Sequence, residues 1–387
     1  MTSRQDTERV ETVIVGGGQA GLAVGYHLTK RGRSCVILDA NDRIGDSWRK
    51  RWPSLRLYSP ARIDGLPGMR FPAPPYSYPT GYEMADYLEA YATRFDLPVQ
   101  TAVAVERLER NGEGYVVTAG ERRFEADNVV VATGVFQHDH PVTPAFANEL
   151  DPRIRQIHSA DYRSPEQLQE GAVLVVGAAH SGGDIAYEAA RAGYRTLLSG
   201  RDTGQVPFDI EGRAARFVFP LLRFVATRVL TVSTPMGRKA KAGLRTHGGP
   251  LLRVKSADLE AAGVERVFER TVGVENGKPV LADGRVVDVA NVIWCTGFRN
   301  DYGWIRFPLP VDAEDFPEQE RGVVPSSPGL YFVGLPFLHS FASMLVVGAG
   351  RDGGRVAKHI LSHRSNGRRG ERHGSRTRAS AGEEIAA

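Results

Sequence analysis

One arrangement constrains this chain more than any other: a strand, a glycine turn, a helix and a second strand follow one another, and the set occurs twice. Across residues 11–39 the apolar run ETVIV leads directly into GGGQAG, then LAVGYHL at helical spacing, then SCVILD. Across residues 173–201 the plan recurs as VLVV, GAAHSG, GDIAYEAARAG and TLLSGR, about 160 residues later. Short continuous apolar strands joined through a helix are parallel and covered on both faces. The chain is therefore expected to be α/β, with two Rossmann-like domains. Further strand signals end in ATG near residue 134, in CTGF near 298 and in GLYFVG at 329–334. Residues 53–79, rich in Pro, Tyr and Arg, predict an irregular loop, and the stretch 86–94 reads as helix.

The glycine turns carry chemistry. Gly16, Gly18 and Gly21 form GxGxxG. The first glycine permits the tight turn, the second clears the approach of a pyrophosphate to the backbone, and the third lets helix and strand pack closely. The helix start then offers free N–H groups to phosphates. Asp39 closes the second strand at the spacing of a ribose-hydroxyl acceptor. In the second turn Ala179 replaces the middle glycine between Gly177 and Gly182. Ser199 stands where an acid is expected, with Arg201 two residues on, a pairing that suits a 2′-phosphate and so favours NADPH over NADH. Asp202, directly after it, counts against that choice. Two dinucleotide sites on one chain imply a bound flavin that takes hydride from a nicotinamide.

Composition narrows the partners. Of the net charge of +4, the stretch 364–387 supplies +3, so the body is nearly neutral and lacks the basic face that nucleic acid requires. Its composition predicts a disordered tail. The two cysteines, Cys35 and Cys295, sit in apolar strands and read as inert core thiols; neither a disulfide framework nor a metal site is expected. The charged start is no secretory signal, and no run of about 18 apolar residues occurs, so a cytoplasmic protein without a transmembrane segment is expected.

The stretches GGGQAGLAVGYHL, IGDSWRKRWPSLRLYSP, FPAPPYSYPT, DYLEAYATRFDLPV, VVVATG, IHSADY, VLVVGAAHSGGDIA, LLSGR, VIWCTGF and GLYFVG span nearly the whole chain apart from the tail. Together they resemble the class B flavin-dependent monooxygenases, in particular the plant indole-3-pyruvate monooxygenase type and the bacterial flavoproteins associated with cation transport. The resemblance implies an NADPH-binding domain inserted into a discontinuous FAD-binding domain: residues 1–163 and 290–363 for FAD, and 164–289 for NADPH. It implies FAD contacts at Gly16, Gly18, Gln19, Ala20, Gly21, Asp39, Trp48, Thr133, Gly134 and Gly334. It implies NADPH contacts at Gly177, His180, Ser181, Gly182, Ser199 and Arg201.

The implied activity is NADPH-driven oxygenation of a small organic substrate by molecular oxygen through a C4a-(hydro)peroxyflavin. No acid–base triad is needed, and no catalytic side chain is singled out. The chain departs from the family pattern in places. Of FxGxxxHxxxY only His158 and Tyr162 stand, with Pro152 and Ile154 in place of Phe and Gly. Leu335 follows Gly334 where many flavoprotein reductases have Asp, and LRLYSP offers Tyr58 and Ser59 where animal-type members carry Asn. The alternatives are an NADPH oxidase or a redox-sensing flavoprotein; a flavin disulfide reductase would need a redox cysteine pair, which is missing.

Three features stay open. His158 reads as a phosphate or linker contact, or as a surface histidine. His339 and Ser340, in LPFLHSFAS, read as a proton relay or, more simply, as structural groups. The segment 216–232, RFVFPLLRFVATRVLTV, reads as an amphipathic surface helix facing a membrane or a homodimer partner, or as a helical insertion over the substrate entrance. The insertion is the expected reading, because three arginines make a sparse membrane patch.

Overall fold

The computed structural model describes residues 7–135, 140–246 and 248–379. The first unit runs β1 (Thr7–Val15), α1 (Gln19–Thr29), β2 (Cys35–Leu38), α2 (Asp46–Arg49), α3 (Gly81–Arg94), β3 (Val99–Gln100), β4 (Arg107–Asn111), β5 (Gly114–Ala119) and β6 (Arg122–Val131). The second runs β7 (Arg155–His158), β8 (Val173–Val176), α4 (His180–Arg191), β9 (Thr196–Ser199), α5 (Ala215–Phe224), α6 (Pro235–Thr246), α7 (Ser256–Ala261), β10 (Glu265–Val267), β11 (Thr271–Glu275), β12 (Lys278–Leu281) and β13 (Asn291–Trp294). The chain then returns to the first unit through β14 (Leu330–Phe332) and α8 (Val346–Ala379).

Strand order in the first sheet is β3-β2-β1-β6-β5-β4, with β14 parallel to the C-terminal end of β6. The second sheet has the order β10-β9-β8-β13-β7, all parallel. Side chains alternate across each sheet, so each apolar strand feeds two cores. Ile14, Ile37 and Val130 face α1, α3 and α8, while Val13, Val15, Val36, Leu38, Val129 and Val131 fill the opposite side. In the second sheet Val173, Val175, Leu198 and Ile293 pack under α4, and Leu174, Val176, Leu197 and Trp294 face away from it. A fully buried aliphatic side chain of this kind contributes about 1.5–3 kcal/mol. The fold is thus two Rossmann-like units, one inserted in the other.

Several expectations change. β7 and β13, which lie outside 164–289, belong to the second sheet, where β13 stands between β7 and β8. A short apolar run does not reveal its partner, so VIWCTGF is ambiguous from sequence. The helix read at 86–94 begins earlier, at Gly81, where Thr80 and Glu83 close a reciprocal cap: Glu83 N–H donates to Thr80 Oγ1 (3.1 Å) and Thr80 N–H to Glu83 Oε2 (2.7 Å). Helical backbone continues over 364–379, where composition predicts no ordered element. Residues 380–387 of that tail lie outside the described residues.

The insertion expected at 216–232 is α5 followed by a π turn at Val225–Val229. Phe219 points inward, with its ring 6.1 Å from that of Tyr78, whereas Phe217, Leu221 and Phe224 face out.

Candidate active site and cofactor cradles

The first glycine turn lies at the C-terminal ends of β1, β6 and β14. Gly16 has φ +108°, and a side chain there would lie 2.6 Å from the Ala132 carbonyl oxygen. A side chain on Gly21 would lie 1.9 Å from the Gly16 carbonyl, so α1 can start this close to β1 only with glycine at that position. Gly18 differs: a methyl there would meet no protein atom within 4 Å. The space in front of it is open, and α1 begins at Gly18 with no side-chain cap. Gln19 and Ala20 form the first turn of α1, with Ala20 beneath Gly334. Asp39 directly follows β2 and accepts from the Gly17 N–H (2.6 Å) and, through its other oxygen, from the Asn41 N–H (2.8 Å). Thr133 and Gly134 follow β6 beside the turn, half-buried, with Gly134 at φ +71°. An uncapped helix start behind an open glycine edge, with a carboxylate at the end of the next strand, fits a dinucleotide pyrophosphate and ribose.

The second cradle repeats this plan. Gly177 has φ +109° and its side-chain position lies 2.3 Å from the Cys295 carbonyl; that of Gly182 lies 1.8 Å from the Gly177 carbonyl. Cys295 therefore stands to β13 as Ala132 stands to β6, and the Thr296–Gly297 pair after it matches Thr133–Gly134. The likeness of ATG and CTG was the only sequence signal for this correspondence. The helix α4 also starts without a side-chain cap, at Ala179, and here the glycines at 248–249 lie close: a side chain on Gly248 would come within 2.8 Å of Ala179 Cβ and one on Gly249 within 2.9 Å of the His180 ring.

The adenosine end is set differently from expectation. Ser199 is fully buried, its hydroxyl donating to the Glu269 carbonyl (2.9 Å) and bonded to Thr271 Oγ1 (3.0 Å), so it cannot also serve an outside phosphate. The reason is strand periodicity: the last residue of β9 points into the core. Arg201 is exposed and makes no ion pair among the described residues, whereas Asp202 accepts from the Gly204 N–H (2.8 Å) and faces Arg266 at 4.0 Å. The acid that counted against a phosphate is thus turned to its own loop and partly neutralised. Thr203, unnoticed in the sequence, donates to the Ala178 carbonyl (3.2 Å) and ties this loop to the glycine turn.

Between the cradles the two units share a buried polar junction. Trp48, on α2, packs against the cores of both. Tyr58 donates to Asp184 Oδ2 on α4 (2.8 Å), and Arg253 pairs with the same oxygen (3.3 Å). The His180 ring stands edge-on to Tyr58 at 5.2 Å, and Ser181 follows it, half-buried. Burial raises the Asp184 carboxyl against the pull of Arg253, and burial lowers the His180 imidazole. Sequence reading missed Asp184 and Arg253; a charged residue on the buried stripe of α4 was the available signal. Nearby, Ser59 donates to Asp64 (2.6 Å), and burial lifts that carboxyl to about 7.

His158 ends β7, buried rather than on the surface: its Nδ1 accepts from the Ala160 N–H (3.1 Å), and its ring stands edge-on to Phe298. His339 lies under a cluster of arginines. Burial, then Arg351, Arg355, Arg321 and Arg228, press its imidazole down to about 4, so it is neutral near pH 7 and poorly suited to a proton relay. Ser340 is buried and accepts from Arg351 (2.8 Å). Cys35 and Cys295 are free thiols in different sheets, both held protonated by burial. No helix among the described residues is long and apolar enough to cross a membrane.

The profile of the pyridine nucleotide-disulphide oxidoreductase family matches residues 13–211. The protein described as "uncharacterized oxidoreductase CzcO-like" from Geobacillus kaustophilus is 36% identical over 92% of this chain and 99% of its own. The probable indole-3-pyruvate monooxygenase YUCCA7 of Arabidopsis thaliana is 28% identical over 83% of this chain and 82% of its own. Among solved structures, a flavin-containing monooxygenase from Stenotrophomonas maltophilia superimposes with a TM-score of 0.76 at 26% identity, covering 92% of this chain and 99% of that one. The chain belongs to the pyridine nucleotide-disulphide oxidoreductase family, on its class B flavin-dependent monooxygenase branch. The disulphide chemistry in the family name has no counterpart here, since the two thiols sit in separate units.

Proposed function

We infer that the protein binds FAD in the first cradle and NADPH in the second, and transfers one oxygen atom from molecular oxygen to a small organic substrate. The observation that carries this reading is the pair of glycine-turn helices that start without side-chain caps at the ends of parallel strands, with an exposed arginine beside the second that makes no ion pair among the described residues. Gly16, Gly18, Gln19, Ala20, Gly21, Asp39, Trp48, Thr133, Gly134 and Gly334 would hold FAD. Gly177, His180, Ser181, Gly182 and Arg201 would hold NADPH. Ser199 supports the strand end from inside.

When bound, FAD supplies the capacity to accept hydride and to react with oxygen. The chain's own contribution is placement. Backbone N–H groups at the starts of α1 and α4 would bind the two pyrophosphates. Trp48 and the Tyr58–Asp184–Arg253 junction hold the two units in one orientation, which sets where the nicotinamide can lie. We place this activity in the cytoplasm, where both thiols stay reduced.

The test is oxygen accounting. With a true substrate, NADPH consumed should equal product formed, with little hydrogen peroxide. Peroxide equal to NADPH for every candidate substrate would instead make the protein an NADPH oxidase.

A further inference from the structure

The helix α5 is apolar on both faces, and only one face is used by the fold. Ala215 and Phe219 are buried, whereas Phe217 is 84% exposed, Leu221 61% and Phe224 57%. These three stand at i, i+4 and i+7, which on a helix is a single stripe. Arg216 and Arg223, also seven apart, flank it, and exposed Met236 lies on the next helix. A stripe of this size turned to water is unfavourable unless something covers it.

Charge identifies what covers it. Residues 212–246 contain eight Arg and Lys and no Asp or Glu. Arg213, Arg216, Arg223, Arg228, Arg238 and Lys239 are exposed, and none makes an ion pair among the described residues. Outside this stretch and the 364–387 tail the chain carries a net charge of −7, so this is a local excess of the opposite sign. A second copy of the chain is a poor occupant: a two-fold contact would bring the patch against itself and set cation on cation. An anionic lipid surface meets both requirements, since aromatic and leucine side chains enter the headgroup–acyl boundary while the arginines beside them meet lipid phosphates.

We propose that α5 and the start of α6 form a monotopic docking surface by which the enzyme binds reversibly to anionic membranes, without spanning them. Three arginines counted along 216–232 understate the positive charge, because Arg213, Arg238 and Lys239, just outside those bounds, are exposed as well.

The test is co-sedimentation of the full-length, flavin-loaded protein with vesicles. Binding is expected to vesicles of phosphatidylglycerol and phosphatidylcholine, not to phosphatidylcholine alone, and should weaken at high salt. The triple variant Phe217→Ser, Leu221→Ser, Phe224→Ser should bind at least about tenfold more weakly, and Arg223→Gln with Arg228→Gln about tenfold. All of these positions are exposed, so flavin content and NADPH oxidation should stay at wild-type level. Four results would overturn the proposal: no binding to anionic vesicles; equal binding to neutral ones; binding that survives the triple variant, which would move it elsewhere, such as the Arg-rich tail; or a homodimer, or a complex with an acidic protein, that depends on the stripe in place of vesicle binding.

Discussion

At the residue scale, Gly18 and Gly21 look equivalent in the motif but differ physically. A side chain at Gly21 collides with the Gly16 carbonyl, whereas one at Gly18 meets no protein atom. Gly21→Val should therefore disrupt the α1–β1 packing and lower the melting temperature. Gly18→Val should leave a folded protein that has lost its yellow colour, because the added atoms take only the space of the proposed pyrophosphate. Thermal melts and flavin absorbance of the purified variants separate the two, and a Gly18→Val protein with full flavin occupancy contradicts the assignment. Arg201 and Ser199 form a second contrast. Arg201→Ala should weaken NADPH about ten- to a hundredfold and NADH little, since a charge-assisted phosphate contact is lost. Ser199→Ala should leave the ratio of the two nucleotides unchanged, because its hydroxyl is spent inside on Glu269 and Thr271. Flavin reduction at varied nucleotide concentrations gives both answers; equal losses for both nucleotides in Arg201→Ala would move that side chain away from the 2′-phosphate. Asp64 adds a pH effect. Burial raises its carboxyl from 3.8 to about 7, so the folded state holds that proton more tightly than the unfolded chain. The stabilisation is complete below about pH 4 and is lost as pH rises through 7, at up to ~1.4 kcal/mol per unit. Asp64→Asn, which keeps an acceptor for Ser59, should gain on wild type as pH climbs from 4 to 7 and then level off. A melting-temperature difference that does not vary with pH would show that Asp64 is ionised in the fold.

At the scale of elements, legibility follows how local the cause is. Both glycine turns could be read because much of the cause is local: Gly16 and Gly177 have positive φ, and Gly21 and Gly182 each pack on the glycine five residues before them. The inward face of Ser199 follows from strand period, but only once the strand is known to be buried on both sides. The placement of β13 could not be read, because its neighbours β7 and β8 lie more than 100 residues earlier and any buried apolar strand suits a central position. Nor could the pairing of Tyr58 with Asp184, 126 residues apart, since a single tyrosine in an irregular loop carries no pattern. For α5 the sequence alone leaves a covering insertion and a surface helix both open, and only the inward turn of Phe219 shows which stripe faces out.

At the scale of the whole molecule, the insertion of one nucleotide-binding unit between β6 and β14 of the other makes a single chain able to hold donor and acceptor of a hydride together. The junction of Trp48, Tyr58, Asp184 and Arg253 then fixes how the two cradles face each other. The most direct test of this account is an anaerobic NADPH titration of the purified yellow protein, read at the flavin absorbance band and followed by admission of oxygen. The account predicts full bleaching by one equivalent of NADPH, much slower bleaching by NADH, and return of the colour with oxygen. A flavin that stays oxidised under excess NADPH would contradict it, because the second cradle would then not deliver a nicotinamide to the first.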